Sequence, residues 1–150
     1  MVVSVLGIIG GGQLGSMLAD AAKKLQLKTI IISDDLDAPA KNFADEFIYC
    51  NYDDHKKIKQ FLKKVDLVTY EFENIPFKTL NMINNFKKVL PKPNINKVIQ
   101  NRFTEKNFLN KCDILTTPYV LIKKKKDLKS NLKLIPGILK TCTLGYDGRG

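Results

Sequence analysis

The stretch from residue 2 to residue 25 constrains the fold more than any other part of this 150-residue chain. An apolar run of strand length, residues 2–9, leads directly into three consecutive glycines at positions 10–12. Beyond them, apolar side chains recur at helical spacing, which predicts a helix with one buried face. That face is predicted to consist of Leu14, Met17, Leu18, Ala21 and Leu25. A strand, a glycine turn and a helix in this order indicate the first unit of a parallel α/β sheet.

The same alternation continues along the chain. Apolar, β-branched runs at residues 28–33, 46–50 and 66–70 predict three further strands. Between and after them, Ile58, Phe61, Leu62 and Val65 recur at helical spacing, and Pro76 suits the first turn of another helix that reaches about residue 86. Strands alternating with helices predict the α/β class, with a Rossmann-like, doubly wound parallel sheet.

The sequence pattern changes after residue 87. A short strand precedes two prolines, and residues 94–112 are predicted to form one or two helices. Thr116, Thr117 and Pro118 mark a boundary, after which strands at 119–122 and 138–141 and a helix at 127–132 are expected. The pattern predicts a first domain at residues 1–93, a helical linker at 94–115 and the start of a second, incomplete domain at 116–150.

Composition excludes several classes of protein. A hydrophobic content of 44% supports a core, and no run approaches the roughly 20 apolar residues of a membrane span. The N-terminus lacks the basic leader of a signal peptide, so we expect a cytoplasmic protein without a membrane partner. Three widely spaced cysteines, with no CxxC pair, and a single histidine predict neither a disulfide framework nor a His/Cys metal site.

The net charge of +10 raises the possibility of a nucleic-acid or polyanion partner, particularly at the four lysines of residues 123–126. Lysine outnumbers arginine 23 to 2, however, whereas surfaces that read phosphates usually employ arginine as well. We therefore predict no nucleic-acid partner and keep a non-catalytic polyanion binder as an alternative. The two arginines, Arg102 and Arg149, are candidates for sites that need a planar, bidentate donor.

The glycine turn itself fits a dinucleotide-binding pattern. Gly10, Gly12 and Gly15 form GxGxxG between a strand and a helix, and Asp34 follows the second strand, where an acid would bind a ribose. This reading favours an NAD-dependent dehydrogenase. A glycine turn at a helix N-terminus accepts other phosphates too, and Gln13 could donate or accept hydrogen bonds across the turn. The residues alone do not distinguish an NAD site from another phosphate-binding site.

A second polar group of residues follows the strand at 66–70. Glu71, Glu73 and Asn74 lie at its carboxyl end, where open α/β sheets bind ligands. In an extended chain the two glutamates project to one side, an arrangement suited to recognising hydroxyls or an amine. The alternative is that one glutamate caps the helix near Pro76 and the other is solvated.

A third group closes the sequence. Lys140 ends an apolar run and precedes a glycine-rich segment that contains Tyr146, Asp147 and Arg149. Backbone N–H groups of such a segment can surround phosphate oxygens while a lysine supplies positive charge. An edge strand that exposes its lysine is the alternative, but it leaves the glycine-rich segment without a role.

Four segments together resemble the 5-(carboxyamino)imidazole ribonucleotide synthetases, ATP-grasp enzymes of purine biosynthesis. They are GIIGGGQLGSMLADAAKKL at 7–25, VTYEFENIP at 68–76, QNRFTEKNFL at 100–109 and ILKTCTLGYDGRG at 138–150. The resemblance implies a pre-ATP-grasp domain followed by the truncated start of an ATP-grasp domain. It also implies a carbon–nitrogen ligase in which ATP and bicarbonate form carboxyphosphate, whose carboxyl group passes to the amine of 5-aminoimidazole ribonucleotide, with release of ADP and phosphate.

The resemblance also implies site residues. ATP would be bound by Arg102, Lys140, Gly145, Tyr146, Asp147, Gly148, Arg149 and Gly150. The ribonucleotide would be bound by Gly12, Gln13, Leu14, Glu71, Glu73 and Asn74. The catalytic residues would be Tyr146, Asp147 and Arg149, closing on bicarbonate and the amine.

Other properties of the family are expected in the same way. Mg²⁺ would accompany ATP, with its ligands in a C-terminal part beyond these residues, and the complete enzyme would be a homodimer. Ser16 departs from the family, which commonly has arginine there. Family members are longer, so the chain is expected to be an N-terminal fragment that is inactive alone. Another ATP-grasp ligase, such as a formate-dependent glycinamide ribonucleotide transformylase or a biotin carboxylase, remains an alternative.

Overall fold

The structure, a computed structural model, describes residues 3–145. The chain divides into two compact units, residues 1–96 and residues 97–150. Among the described residues, no helix is both long enough and apolar enough to span a membrane.

The first unit is built on a five-stranded parallel sheet. Its strands are β1 (Val5–Ile9), β2 (Lys28–Ser33), β3 (Glu46–Tyr49), β4 (Leu67–Tyr70) and β5 (Val89–Leu90). They lie in the order β3-β2-β1-β4-β5, so the chain moves outward from β1 in one direction and then in the other. This order creates a topological switch point beside β1, where the carboxyl ends of β1 and β4 adjoin. The prediction of a Rossmann-like parallel α/β sheet is confirmed.

Helices cover both faces of this sheet. The helices are α1 (Gln13–Lys24), α2 (His55–Leu62) and α3 (Phe77–Asn84), and a 3-10 turn spans Pro39–Asn42. On one face, Ile8 and Ile31 pack with Ala19 of α1 and Ala40 of the 3-10 turn. The larger cluster on the other face joins the sheet to α2 and α3. Because helices cover both faces, the central residues of the inner strands β1 and β2 are apolar on both sides of the sheet.

The buried face of α1 is only partly the one that the apolar pattern predicted. Leu18 packs against the core, but Leu14 and Met17 are 56% and 66% exposed, and Ala21 and Leu25 are exposed as well. The side that meets the sheet consists of small residues, namely Gly15, Ser16, Ala19 and Ala22. A Cβ on Gly15 would lie 2.8 Å from the carbonyl oxygen of Gly10. The helix thus approaches the end of β1 too closely for large side chains, and this approach rotates the buried face away from most of the predicted residues.

The second unit contains helices and irregular chain. Helix α4 (Pro93–Ile99) begins in the first unit and ends at the start of the second. It is followed by α5 (Arg102–Lys111), α6 (Lys125–Lys129) and a 3-10 turn at Leu132–Leu134. Between residues 97 and 145, none is buried. The strands predicted at 119–122 and 138–141 are not formed in this part of the chain. A strand needs a hydrogen-bonded neighbour, and these two segments do not pair with any described residue as a ladder.

Candidate functional site

The glycine turn lies at the carboxyl edge of the sheet and is held by its backbone. Gly10 has φ = +104°, a conformation that glycine adopts at little cost. Its N–H donates to the carbonyl of Ile32 at 2.9 Å, which ties the turn to β2. The carbonyl of Gly11 accepts from the N–H of Ala40 at 3.0 Å. The turn is therefore fixed to two neighbouring segments before α1 begins.

Glu71 is the side chain that enters this turn. In the register of β1 and β4, Ile9 pairs with Tyr70, so Glu71 is the first residue beyond the pair. Its backbone N–H donates to the carbonyl of Ile9 at 3.1 Å. Its Oε1 accepts from the N–H of Gly12 at 2.9 Å. Glu71 thus binds the residue that caps α1, and its carboxylate lies at the N-terminus of that helix.

The glycines of the fingerprint are explained by this carboxylate and by close packing. A Cβ on Gly10 would lie 2.7 Å from Glu71 Oε1, and a Cβ on Gly12 would lie 3.1 Å from the same atom. Gly15 allows α1 to approach the carbonyl of Gly10. The glycines of GxGxxG therefore make room for groups of the protein itself. The carboxylate of Glu71 lies where a dinucleotide would place its pyrophosphate.

The two glutamates, expected to act as a pair, have different partners. Glu71 is partly buried against the turn, whereas Glu73 is exposed and its Oε1 accepts from Asn74 Nδ2 at 3.2 Å. Pro76 is the N-cap residue of α3, and its own side chain forms no capping hydrogen bond. Gln13 and Leu14 are exposed in the first turn of α1. The structure thus brings Gln13, Leu14 and Glu71 to one turn.

Asp34 lies past the carboxyl end of β2 and is exposed. The Tyr52 hydroxyl forms hydrogen bonds with Ser33 and Asp34, and burial, reinforced by the charge of Asp34, raises the pKa of Tyr52. Tyr52 could not be predicted from the sequence, because an isolated tyrosine in a loop belongs to no recognisable pattern. Its burial next to an acid is a consequence of tertiary packing.

Ser16 occupies the position where the resembling enzymes commonly have arginine. It is 9% exposed, and its hydroxyl donates to the carbonyl of Gly12 at 3.3 Å. Its side chain therefore bonds its own helix, one turn back, on the face that packs against the sheet. A residue in this orientation contributes to packing.

Arg102, in the second unit, binds the segment that precedes the glycine-rich end of the chain. Its Nη1 donates to the carbonyls of Thr141 at 3.0 Å and Leu144 at 2.6 Å, and its Nη2 donates to the carbonyl of Gly145 at 3.0 Å. Its backbone N–H donates to the carbonyl of Cys142 at 2.8 Å. Arg102 is the first residue of α5, so the N-terminus of this helix and residues 141–145 are held together.

The remaining residues of the predicted ATP site are only partly described. Lys140 is exposed. Tyr146, Asp147, Gly148, Arg149 and Gly150 lie outside the described residues. Within residues 3–145, no group of three or more histidine, cysteine or acidic side chains could hold a metal ion. Cys50, Cys112 and Cys142 are free thiols.

The fold and the turn together define a class. A five-stranded parallel sheet, with a glycine turn opening α1 beside the switch point, is an α/β domain of the nucleotide-binding type. Residues 3–100 match the family described as the ribonucleotide synthetase preATP-grasp domain, and the chain belongs to this family.

Longer proteins resemble the chain over nearly its whole length. It is 42% identical to the N5-carboxyaminoimidazole ribonucleotide synthase of Brucella melitensis over 149 residues, which cover 98% of this chain and 41% of that protein. The N5-carboxyaminoimidazole synthetase of Staphylococcus aureus, solved with ADP, is 35% identical with a TM-score of 0.90 over 98% of this chain and 40% of its own.

The corresponding Aspergillus clavatus synthase was solved with ADP and 5-aminoimidazole ribonucleotide. It is 25% identical, with a TM-score of 0.76 over 88% of this chain and 36% of its own. The chain thus spans about two fifths of the length of the relatives that it matches. The family assignment replaces the dehydrogenase reading of the glycine fingerprint.

Proposed function

We propose that the chain forms the ribonucleotide-binding part of an ATP-dependent carbon–nitrogen ligase that carboxylates 5-aminoimidazole ribonucleotide in purine biosynthesis. The observation that carries the proposal is the match over 98% of the chain to a synthase of this name, at 42% identity. In the proposed reaction, bicarbonate attacks the γ-phosphorus of ATP and ADP leaves. The amine of the ribonucleotide then attacks the carboxyl carbon of carboxyphosphate, and phosphate leaves.

The proposed ribonucleotide site lies at the carboxyl edge of the sheet in the first unit. Gly12, Gln13, Leu14, Glu71, Glu73 and Asn74 are its proposed residues. Gln13 and Glu73 are exposed there, and Asn74 Nδ2 donates to Glu73 Oε1, so amide and carboxylate groups lie at this edge of the sheet. Glu71 acts indirectly, because its carboxylate accepts a hydrogen bond from the N–H of Gly12 and so holds the turn in place.

The proposed ATP-binding residues belong to the second unit. Arg102, Lys140 and Gly145 are suited to phosphate by their charge or by their backbone N–H groups. Arg102 holds residues 141–145, and we extend the proposed site through Tyr146, Asp147, Gly148, Arg149 and Gly150. Of these, Tyr146, Asp147 and Arg149 are the proposed catalytic residues.

Mg²⁺ would neutralise the charge of the triphosphate. No group of acidic side chains within the described residues suits it, so none of them is assigned to the metal. We further propose that residues 1–93 bind the ribonucleotide, that residues 94–115 are a linker, and that residues 116–150 begin an ATP-grasp domain. A cytoplasmic homodimer, without nucleic acid or membrane partners, is the proposed state of the longer enzyme.

The proposal is tested by titrating the 150-residue chain with 5-aminoimidazole ribonucleotide and following backbone amides by NMR. We expect weak binding, seen as saturable chemical-shift changes at the amides of Gln13, Leu14, Glu73 and Asn74. The Gln13→Ala variant should bind the ribonucleotide more weakly than wild type. Lys124→Ala, a change in the lysine run of the second unit, serves as the control and should leave the titration unaltered.

Turnover provides the second test. With ATP, bicarbonate and the ribonucleotide present, the 150-residue chain should release no phosphate, because the relatives that carry the named activity are more than twice its length. Bicarbonate-dependent phosphate release by this chain would contradict the proposal that these 150 residues form only the ribonucleotide-binding part of the ligase. Saturable binding of NADH, in place of the ribonucleotide, would contradict the proposed substrate.

A further inference from the structure

The N-terminus of α1 has the features of an anion site. The first N–H groups of a helix have no partner within the helix, and the positive end of the helix dipole adds to their effect. In this protein an anion from the chain itself is already present, because Glu71 Oε1 lies 2.9 Å from the nitrogen of Gly12. The carboxylate is delivered by β4, a neighbour of β1 in the sheet.

We propose that Glu71 is the positioning residue of this turn and that its carboxylate excludes phosphate groups from the N-terminus of α1. Glu71 then determines specificity in two ways. It holds Gly12 and the first turn of α1 in place, and it restricts ligands of the turn to groups other than phosphate or pyrophosphate.

The exclusion has a steric cause. Carbon atoms added at Gly10 and Gly12 would lie 2.7 Å and 3.1 Å from Glu71 Oε1. The space that glycines leave open for a pyrophosphate in dinucleotide-binding proteins is therefore taken by this carboxylate. A phosphate could approach the N–H of Gly12 only if the Glu71 side chain moved away.

The exclusion also has an electrostatic cause. A phosphate at the turn would place its charge within several ångströms of the Glu71 carboxylate. Two like charges this close repel more strongly than a helix dipole attracts an anion, because the dipole corresponds to only about half a unit charge at the helix end. Charge and steric fit thus act in the same direction.

This inference does not rest on the proposed function, because it concerns the ligands that the turn rejects. It is compatible with a ribonucleotide that meets the turn through hydroxyls or its amine and carries its phosphate elsewhere. The sequence pattern alone indicates the opposite, since GxGxxG followed by an acid is typical of pyrophosphate binding.

Inorganic pyrophosphate is the probe for the test, and the amide signals of Gly10, Gly12, Gln13 and Gly15 in the 150-residue chain are the readout. The wild-type chain should show no saturable shift at these amides in millimolar pyrophosphate. Glu71→Ala removes both the charge and the bulk, and it should bind pyrophosphate at these amides at least about tenfold more tightly than wild type.

Asp37→Ala is the matched control. It changes the net charge by the same amount at an exposed acid in the loop after β2, and it should bind pyrophosphate no more tightly than wild type. Saturable wild-type shifts at the Gly12 amide would overturn the proposal, as would equal pyrophosphate affinity in Glu71→Ala and Asp37→Ala.

Glu71→Gln covers the case in which Glu71→Ala does not fold. The glutamine keeps the side-chain volume and an oxygen that accepts from Gly12, but it carries no charge, and it should also bind pyrophosphate more tightly than wild type. Affinity equal to that of wild type would overturn the electrostatic argument. A ribonucleotide titration of the same samples reports separately on the proposed function.

Discussion

The residue types at Gly7 and Asp66 are explained by contacts with segments that are distant in the sequence. Gly7, in the middle of β1, faces the ring of Phe61 and the side chain of Val65, both of which are fully or almost fully buried. Asp66, just before β4, accepts three hydrogen bonds from Ser4 and Val5 through Oδ2. In each case the sequence shows the residue type, and its partner comes from more than fifty positions away.

Gly7→Ala should lower the free energy of unfolding by about 1–3 kcal/mol, because the new methyl group overlaps the Phe61 ring and lies 3.1 Å from Val65 Cγ1. Urea denaturation measures the effect. The double variant Gly7→Ala/Phe61→Leu is the control, since a shorter side chain relieves the overlap. The combined loss should be smaller than the sum of the single losses; strict additivity would refute the steric explanation.

Asp66 should make stability depend on pH. Hydrogen bonds from the backbone of Ser4 and Val5, and from the Ser4 hydroxyl, hold the pKa of Asp66 below its usual value of 3.8. The unfolded chain therefore binds a proton at a higher pH than the folded chain does. The stabilisation is fully present above the unfolded-state pKa and is lost as pH falls through the folded-state pKa.

Urea denaturation of wild type and Asp66→Asn across this acidic range tests the prediction. The difference in stability between the two should be largest near neutral pH and should shrink as the solution is acidified. Asn51→Ala, at an exposed residue that does not titrate, is the control and should differ from wild type by the same amount at every pH. A difference between wild type and Asp66→Asn that stays constant with pH would contradict the assignment.

At the scale of elements, two helices have orientations or attachments that the periodicity of the sequence does not determine. Helix α1 turns its small residues toward the sheet because the glycine turn brings it close to β1. Helix α5 uses its first residue, Arg102, to hold the segment at 141–145. Farther along α5, the Lys106 Nζ donates to Thr117 Oγ1 at 3.0 Å.

Arg102→Lys should loosen residues 141–145, because one ammonium group cannot reproduce a planar guanidinium that reaches three carbonyls. ¹⁵N relaxation should show lower order parameters at Thr141, Cys142 and Leu144. Lys106→Ala is a control on the same helix, and it should loosen Thr117 while leaving the three residues unaltered. Unchanged order parameters in Arg102→Lys would show that the backbone bond from Arg102 to Cys142 is sufficient.

At the scale of the whole chain, the two units differ in how much they bury. Every residue that the structure describes as buried lies in residues 3–96, whereas residues 97–145 include none. Burial of apolar surface is the main source of folding free energy. The stability of the chain is therefore expected to come from the first unit.

A shortened chain of residues 1–100 should accordingly unfold with nearly the same midpoint in urea as the 150-residue chain. Leu80→Ala, which removes a fully buried side chain of α3, is the reference change. It should cost about 2–5 kcal/mol, and equally in both lengths. Loss of cooperative unfolding on shortening would show that residues 101–150 contribute to the core.

The sequence by itself determined the order of elements in the first unit, the parallel sheet and the segments that carry the proposed site. These follow from periodicity, glycine and proline positions and strand-length apolar runs, which are local properties. It placed Gln13, Glu71, Glu73 and Asn74 at the sheet edge for the same reason. Strand pairing at 119–122 and 138–141 could not be judged locally, because a ladder requires a second strand.

Only the tertiary structure decided which carboxylate enters the glycine turn and which face of α1 is buried. Glu71 and Glu73 have the same chemistry and the same alternation along the chain, but the register between β1 and β4 places Glu71 next to Gly10. The close approach of α1 to β1 likewise turns Leu14 and Met17 outward. Both outcomes depend on distances between segments remote in sequence, and a local pattern contains no information about such distances.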